Sequence, residues 1–170
     1  MGVLSAAFKQ ERLSAEGYAA LIASTTQLNT LGIELAGRAG VHAVTDVTGF
    51  GLLGHALEMC RGAGLAAEID AAAPALLTGV EDLARGGVRT GASTRNWASY
   101  GEAVRTEDAL PGWRRDLLTD PQTSGGLLIA VARDEADAVL QLALDRGFGA
   151  SRIVGRMVSG AAGVTVLGGG

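Results

Sequence analysis

An α/β (α+β) fold, a mixed β-sheet flanked by helices, is what three features of this 170-residue sequence predict. Strand-sized apolar runs stand at residues 41–44, 65–69, 127–131, 153–158 and 164–167. Longer stretches with apolar side chains at helical spacing separate several of them, as at residues 51–60 and 135–146. The order is helices, then strand-helix-strand, then strand-helix-strand-strand, which predicts one mixed sheet with helices packed on it.

Taken in order, residues 3–10 carry apolar side chains at helical spacing, but nothing before them serves as a cap, so the chain reads as beginning at a domain boundary. Ser14 is placed to cap a second helix with Tyr18, Leu21 and Ile22 on its inner face, and the pattern resumes at Leu31, Ile33 and Leu35. Two helices or one bent helix ending near residues 37–40 satisfy this pattern. Val41, Ala43 and Val44 form a strand that Asp46 ends. Gly49, Gly51 and Gly54 open a helix through Leu57 and Cys60, long enough to cross over to a parallel neighbour at residues 65–69. A short helix is expected over residues 76–83. Residues 86–101 show little periodicity and read as a long loop, in which Arg95 and Asn96 either reach an anionic ligand or pin the loop to the sheet. Pro111 stands near the start of a helical turn at residues 113–118. Asp120-Pro121 and then Ser124-Gly125-Gly126 turn the chain into the strand at 127–131, and that turn either presents N–H groups to an anion or is a plain turn. Asp134 is placed to cap the helix over 135–146, residues 160–163 to make a hairpin between the last two strands, and residues 168–170 to form a loose tail.

Composition bounds the function. A formal charge of −4 argues against general binding to nucleic acid or anionic membrane, which needs a basic surface. No apolar run reaches membrane-spanning length, and residues 1–8 lack the pattern of a signal peptide, which makes the cytoplasm the default compartment. The single cysteine, Cys60, lies on the apolar side of its helix and suits a small core residue.

The stretch from Val41 to His55 carries the chemistry. A strand, an acid at its exit, a glycine turn through Gly49 and Gly51, and a helix start describe a place to hold phosphate. A carboxylate repels bare phosphate, so Asp46 is useful there only with a hard divalent cation such as Mg²⁺ between them. The alternative is that Asp46 simply ends the strand and caps the turn. The letters Gly49-Phe50-Gly51-Leu52-Leu53-Gly54, followed by Asp70, also satisfy the dinucleotide fingerprint. Against it stand the three residues between strand and first glycine, the acid where pyrophosphate would lie, and the bulky Phe50.

TDVTGFGLLGH (residues 45–55) and LLTDPQTSGGLL (residues 117–128) resemble two signature stretches of the C-terminal half of selenophosphate synthetase, or selenide, water dikinase; TRNWASYG (residues 94–101) resembles a third. The resemblance covers nearly the whole chain. It implies an aminoimidazole ribonucleotide synthetase-like C-terminal domain over residues 1–167, partly ferredoxin-like, that pairs with an N-terminal nucleotide-binding domain. It also implies conversion of ATP, selenide and water to selenophosphate, AMP and phosphate with Mg²⁺, in the cytoplasm, by an enzyme that is a homodimer when complete. Asp46 matches the family's Mg²⁺ ligand. The family's nucleophilic Cys or Sec, a nearby lysine and further metal-binding acids belong to the N-terminal half, so no catalytic residue is assigned here and the chain alone is expected to be inactive. Two rivals are a non-catalytic binding or regulatory module and a superfamily enzyme acting on a purine or thiamine precursor, against which the Asp-Pro-Gln-Thr-Ser-Gly-Gly stretch argues. An uncovered apolar patch near Leu4, Phe8 or Phe50 and consequent self-association are expected of the isolated chain.

Overall fold

The structure, a computed structural model, describes residues 1–107 and 110–168. Its elements in chain order are helices α1 (Gly2–Lys9), α2 (Ala15–Thr26) and α3 (Leu31–Leu35), strand β1 (Val41–Asp46), helix α4 (Gly51–Ala63), strand β2 (Ala66–Asp70), helices α5 (Val80–Arg85) and α6 (Gly91–Tyr100), strand β3 (Val104–Thr106), helix α7 (Gly112–Leu118), strand β4 (Leu127–Val131), helix α8 (Ala136–Asp145) and strands β5 (Gly155–Val158) and β6 (Gly163–Leu167). The mixed α/β class expected of the sequence is observed. No helix among the described residues is long and apolar enough to cross a membrane.

Two sheets replace the single one expected. β1 pairs antiparallel with β4, while the other four strands form a sheet in the order β3-β6-β2-β5. The crossover helix α4 has the expected span, yet β1 and β2 are not neighbours. β4 explains why. Its apolar side chains point both ways, with Leu127, Ile129 and Val131 against one core and Leu128 against another, so it serves β1 as a partner partly buried on both faces. Nor do β5 and β6 form the expected hairpin, because β2 lies between them, antiparallel to β5 and parallel to β6. Gly155 permits this: a Cβ there would overlap the Glu68 carbonyl oxygen of β2.

Three cores hold the layers. Leu53, Leu57 and Cys60 of α4 pack on Ala67, Ile69, Val164 and Val166 of the larger sheet. Leu31 and Leu35 of α3 with Val139 and Ala143 of α8 cover β4. Val3, Leu4 and Ala7 of α1 meet Val80 of α5 and Val88. Cys60 is the core residue expected, and burial pushes its thiol pKa up.

The expected loop at 86–101 is instead largely helix α6. Thr90 caps it by accepting a 3.1 Å hydrogen bond from the Ser93 N–H. Its buried positions, Ser93, Asn96 and Tyr100, do keep helical spacing, but two of the three are polar, so an apolar periodicity missed them. Smaller departures have similar causes. Asp134 does not cap α8; it lies in a 3-10 turn, Arg133–Glu135, that leads into the helix. Ser14 caps α2 as expected, but Tyr18 and Ile22 are exposed. Leu4 is fully buried, whereas Phe8 and Phe50 are exposed as expected. The Gly168 N–H donates to Glu107 at 2.7 Å, and residues 169–170 of the expected tail lie outside the described residues.

Substituting Gly155→Ala should cost about 1–3 kcal/mol or more by forcing β5 off β2. Gly62→Ala, on an open face of α4 where a Cβ meets nothing within 4 Å, should gain roughly 0.5–1 kcal/mol. Urea denaturation midpoints of the two variants should therefore move in opposite directions; movement in the same direction would contradict the β2–β5 packing described.

Candidate functional site

β1 delivers Asp46 to the end of the smaller sheet, opposite Leu127, with its side chain exposed. Beyond it the chain makes a turn whose carbonyls are held from below. The Thr48 carbonyl accepts from Gln122 N–H at 2.9 Å and Gly51 N–H at 3.1 Å. The Gly49 carbonyl accepts from Asn96 Nδ2 at 2.8 Å. The Phe50 carbonyl accepts from the Tyr100 hydroxyl at 2.6 Å. Thr48 N–H donates to His55 Nε2 at 2.9 Å, so that nitrogen must be unprotonated and His55 acts as a clamp on the turn.

The second motif loop is knitted to the first. Val47 N–H donates to the Gly126 carbonyl at 2.9 Å, and Asn96 Nδ2, already bonded to Gly49, also donates to the Thr119 carbonyl at 3.0 Å. Close approach demands the glycines. A Cβ on Gly125 would overlap the Val47 carbonyl oxygen, and one on Gly51, which holds φ +69°, would lie 2.6 Å from the Thr119 carbonyl carbon. Ser124 holds φ +56° at the head of that turn, and Asn29 Nδ2 donates to the Gly125 carbonyl at 2.8 Å.

Of the residues singled out from sequence, Asp46 and Gly49 thus stand open at the surface, while Gly51 is buried with its N–H spent on Thr48. Asn96 pins both motif loops, and Arg95 is exposed. Among the described residues no three His, Cys, Asp or Glu side chains converge to hold a metal ion, so Asp46 offers one carboxylate to any such ion. That suits Mg²⁺, which commonly takes one or two carboxylates and fills the rest of its shell from phosphates and water.

Sequence reasoning missed Asp120, the acid of the second motif. It is only 2% exposed and accepts from Val3 N–H at 3.0 Å and the Thr90 hydroxyl at 3.2 Å, and burial raises its pKa above the ordinary carboxylate value. It is a brace between α1 and the start of α6, and a lone acid before Pro121 gives no sequence signal of that bracing role. His55 and Tyr100 were missed as clamps because their partners are backbone atoms.

Fold and site together define an α/β domain that holds two interlocked glycine-bearing loops and one exposed carboxylate at a common edge. The model of the AIR synthase related protein C-terminal domain matches residues 3–167, and the chain belongs to that family. Similar proteins include the selenide, water dikinases of Burkholderia pseudomallei, 58% identical over 98% of this chain, and Pseudomonas straminea, 54% identical over 95%. The chain spans about half the length of these relatives, 47% and 45%. Among solved structures, thiamine-monophosphate kinase from Stenotrophomonas maltophilia superposes with a TM-score of 0.52 at 18% identity, covering 98% of this chain and 47% of that one. The E. coli hydrogenase maturation protein HypE gives 0.52 at 20%, covering 98% and 43%. These two share the fold.

Tyr100 offers a check on the clamp. Burial raises its phenol pKa to about 12, above the roughly 10 of a free tyrosine. The folded state therefore holds this proton longer than the unfolded one, and the stability involved is complete below about pH 10 and lost as pH rises toward 12. Tyr100→Phe should lose about 1 kcal/mol at neutral pH and then fall less steeply than the parent protein through that alkaline window. Denaturation curves at stepped pH with parallel slopes for the two proteins would contradict the assignment.

Proposed function

We propose that this chain is the C-terminal part of a selenide, water dikinase and that Asp46 is its contribution to a shared Mg²⁺–ATP phosphate site. The relatives' names and the match across residues 3–167 support the activity class. The observation that carries the site is the contrast at the turn: its carbonyls are bonded inward while the Asp46 carboxylate is left exposed beside it.

Magnesium bound at Asp46 supplies charge neutralisation for the phosphates of ATP. The chain's own residues do the positioning. Asn96, Tyr100 and His55 fix the turn so that Asp46 is presented at one place, and the open Gly49 lets a phosphate approach without a side chain in the way. Conversion of selenide, ATP and water to selenophosphate, AMP and phosphate then requires the nucleophile, lysine and further acids of a preceding half. The chain by itself is inactive on this reading. Its place in the cell is the cytoplasm, and its working form is a homodimer of the complete enzyme.

Mixing this chain with the matching N-terminal half should restore selenide-dependent AMP formation. Asp46→Asn should lower that rate on the order of 10²-fold or more and raise the Mg²⁺ concentration needed for half-maximal rate. Reconstituted activity indifferent to Asp46→Asn would remove Asp46 from the mechanism; no activity in any mixture would remove the enzymatic reading of the chain.

A further inference from the structure

His42, Ala43, Val44 and Asp46 of β1 are exposed, and β4 is the only strand partner of β1 among the described residues. The ladder is regular from Ala43 to Asp46, and Val47 N–H continues it to the Gly126 carbonyl. By the alternation of an antiparallel pair, the backbone groups of Val44 and Asp46 therefore aim away from β4. The Val44 N–H and carbonyl and the Asp46 N–H join no ladder among the described residues. Proteins blunt such an edge with Lys, Pro, a bulge or a covering element. Here the bulge lies at the far end, between Val41 and Ala43, and residues 43–46 read Ala-Val-Thr-Asp. The other end strands differ: β3 has three residues, β4 is partly buried along its length, and β5 carries the charge of Arg156.

The surroundings of this edge are apolar. Val44, 41% exposed, shares a face of β1 with Asp46. α3 lies over that face, since a Cβ on Gly32 would stand 3.6 Å from Leu127, the cross-strand partner of Asp46. Ile33 of α3 is 81% exposed, and Leu28, next to the Asn29 that holds Gly125, is 75% exposed. Large apolar side chains left open beside a site mark a surface that another body covers. The relatives supply such a body, because this chain spans only 47% and 45% of their length. Gly2 N–H donates to the Pro121 carbonyl at 3.0 Å, so a half that precedes Met1 arrives beside the second motif loop.

We infer that the preceding half docks by adding a β-strand to the outer edge of β1, across Val44 and Asp46, and covers Leu28, Ile33 and Val44 with apolar side chains. Main-chain hydrogen bonds fix the register of an added strand. Because Asp46 ends β1, that register also sets where its carboxylate stands relative to the groups the other half brings. The inference rests on the reading above that a preceding half completes the site, and adds which surface is taken and how.

Amide hydrogen exchange of this chain, alone and mixed with the matching N-terminal half in the absence of Mg²⁺ and ATP, tests it. In the complex the Val44 and Asp46 amides should gain protection of roughly tenfold or more, with Thr45, already bonded to β4, and the amides of β2 little changed. Val44→Pro removes an outward N–H at a position where an edge strand tolerates proline, and should weaken association about tenfold or more. Leu28→Ser should weaken it about tenfold. Ile153→Ser, exposed ahead of β5, should leave it unchanged. Absence of a complex, a complex in which Val44 and Asp46 exchange as in the free chain, or association indifferent to Val44→Pro would each overturn the inference. Protection at these amides that rises with the concentration of this chain alone would assign the edge to a second copy and overturn it too. A protected edge without selenide-dependent activity would remove the proposed activity and leave the docking standing; activity with an unprotected edge would do the reverse.

Discussion

The carboxamide of Asn96 is the constraint on which the rest of the site depends. It donates to the Gly49 carbonyl after β1 and to the Thr119 carbonyl before the second motif turn, loops about seventy residues apart in the chain. Both acceptors are backbone, so the bridge fixes main-chain positions rather than side-chain rotamers. Around it the structure has little freedom: Gly51 must lack a side chain to clear Thr119, and Gly125 to clear Val47. A buried polar bridge of this kind is costly to leave half made, since an orphaned carbonyl loses about 1–3 kcal/mol of desolvation.

The two motif acids divide according to that geometry. Asp120 sits inside, its oxygens occupied and its pKa raised by burial, where it braces α1 against α6. Asp46 sits outside at a strand end, exposed. Motif letters alone rank them equally. Burial separates a structural carboxylate from one able to meet a cation, because an acid whose oxygens are already satisfied gains little from a metal and an exposed one has its whole coordination capacity left.

The parts of the fold legible in the sequence were those whose burial is apolar. α4 and β4 follow directly from the Leu53-Leu57-Cys60 stripe and the run Leu127–Val131; β1 is the exception, a mostly exposed strand read from Val41, Ala43 and Val44. α6 was not legible, because it faces a polar interior through Ser93 and Asn96 and its period is written in residues that otherwise mark loops. Sheet membership was not legible either. The lengths of α4 and of the β5–β6 turn fit adjacent strands, and only the contact of Gly155 with Glu68 and the two-faced burial of β4 send the chain elsewhere. At the site, Asp46 and the glycine turn could be read from strand, acid and glycine spacing. The clamps could not, since a side chain that bonds a distant backbone carbonyl leaves no local pattern.

The most direct measurement is amide hydrogen exchange in Asn96→Ala, read at Val47 and Gln122, whose N–H groups cross between the two loops. If one bridge holds both loops, the two amides should lose protection together, by roughly 10- to 100-fold, with the amides of β2 and β6 unchanged. Protection retained at both, or lost at one alone, would contradict the account.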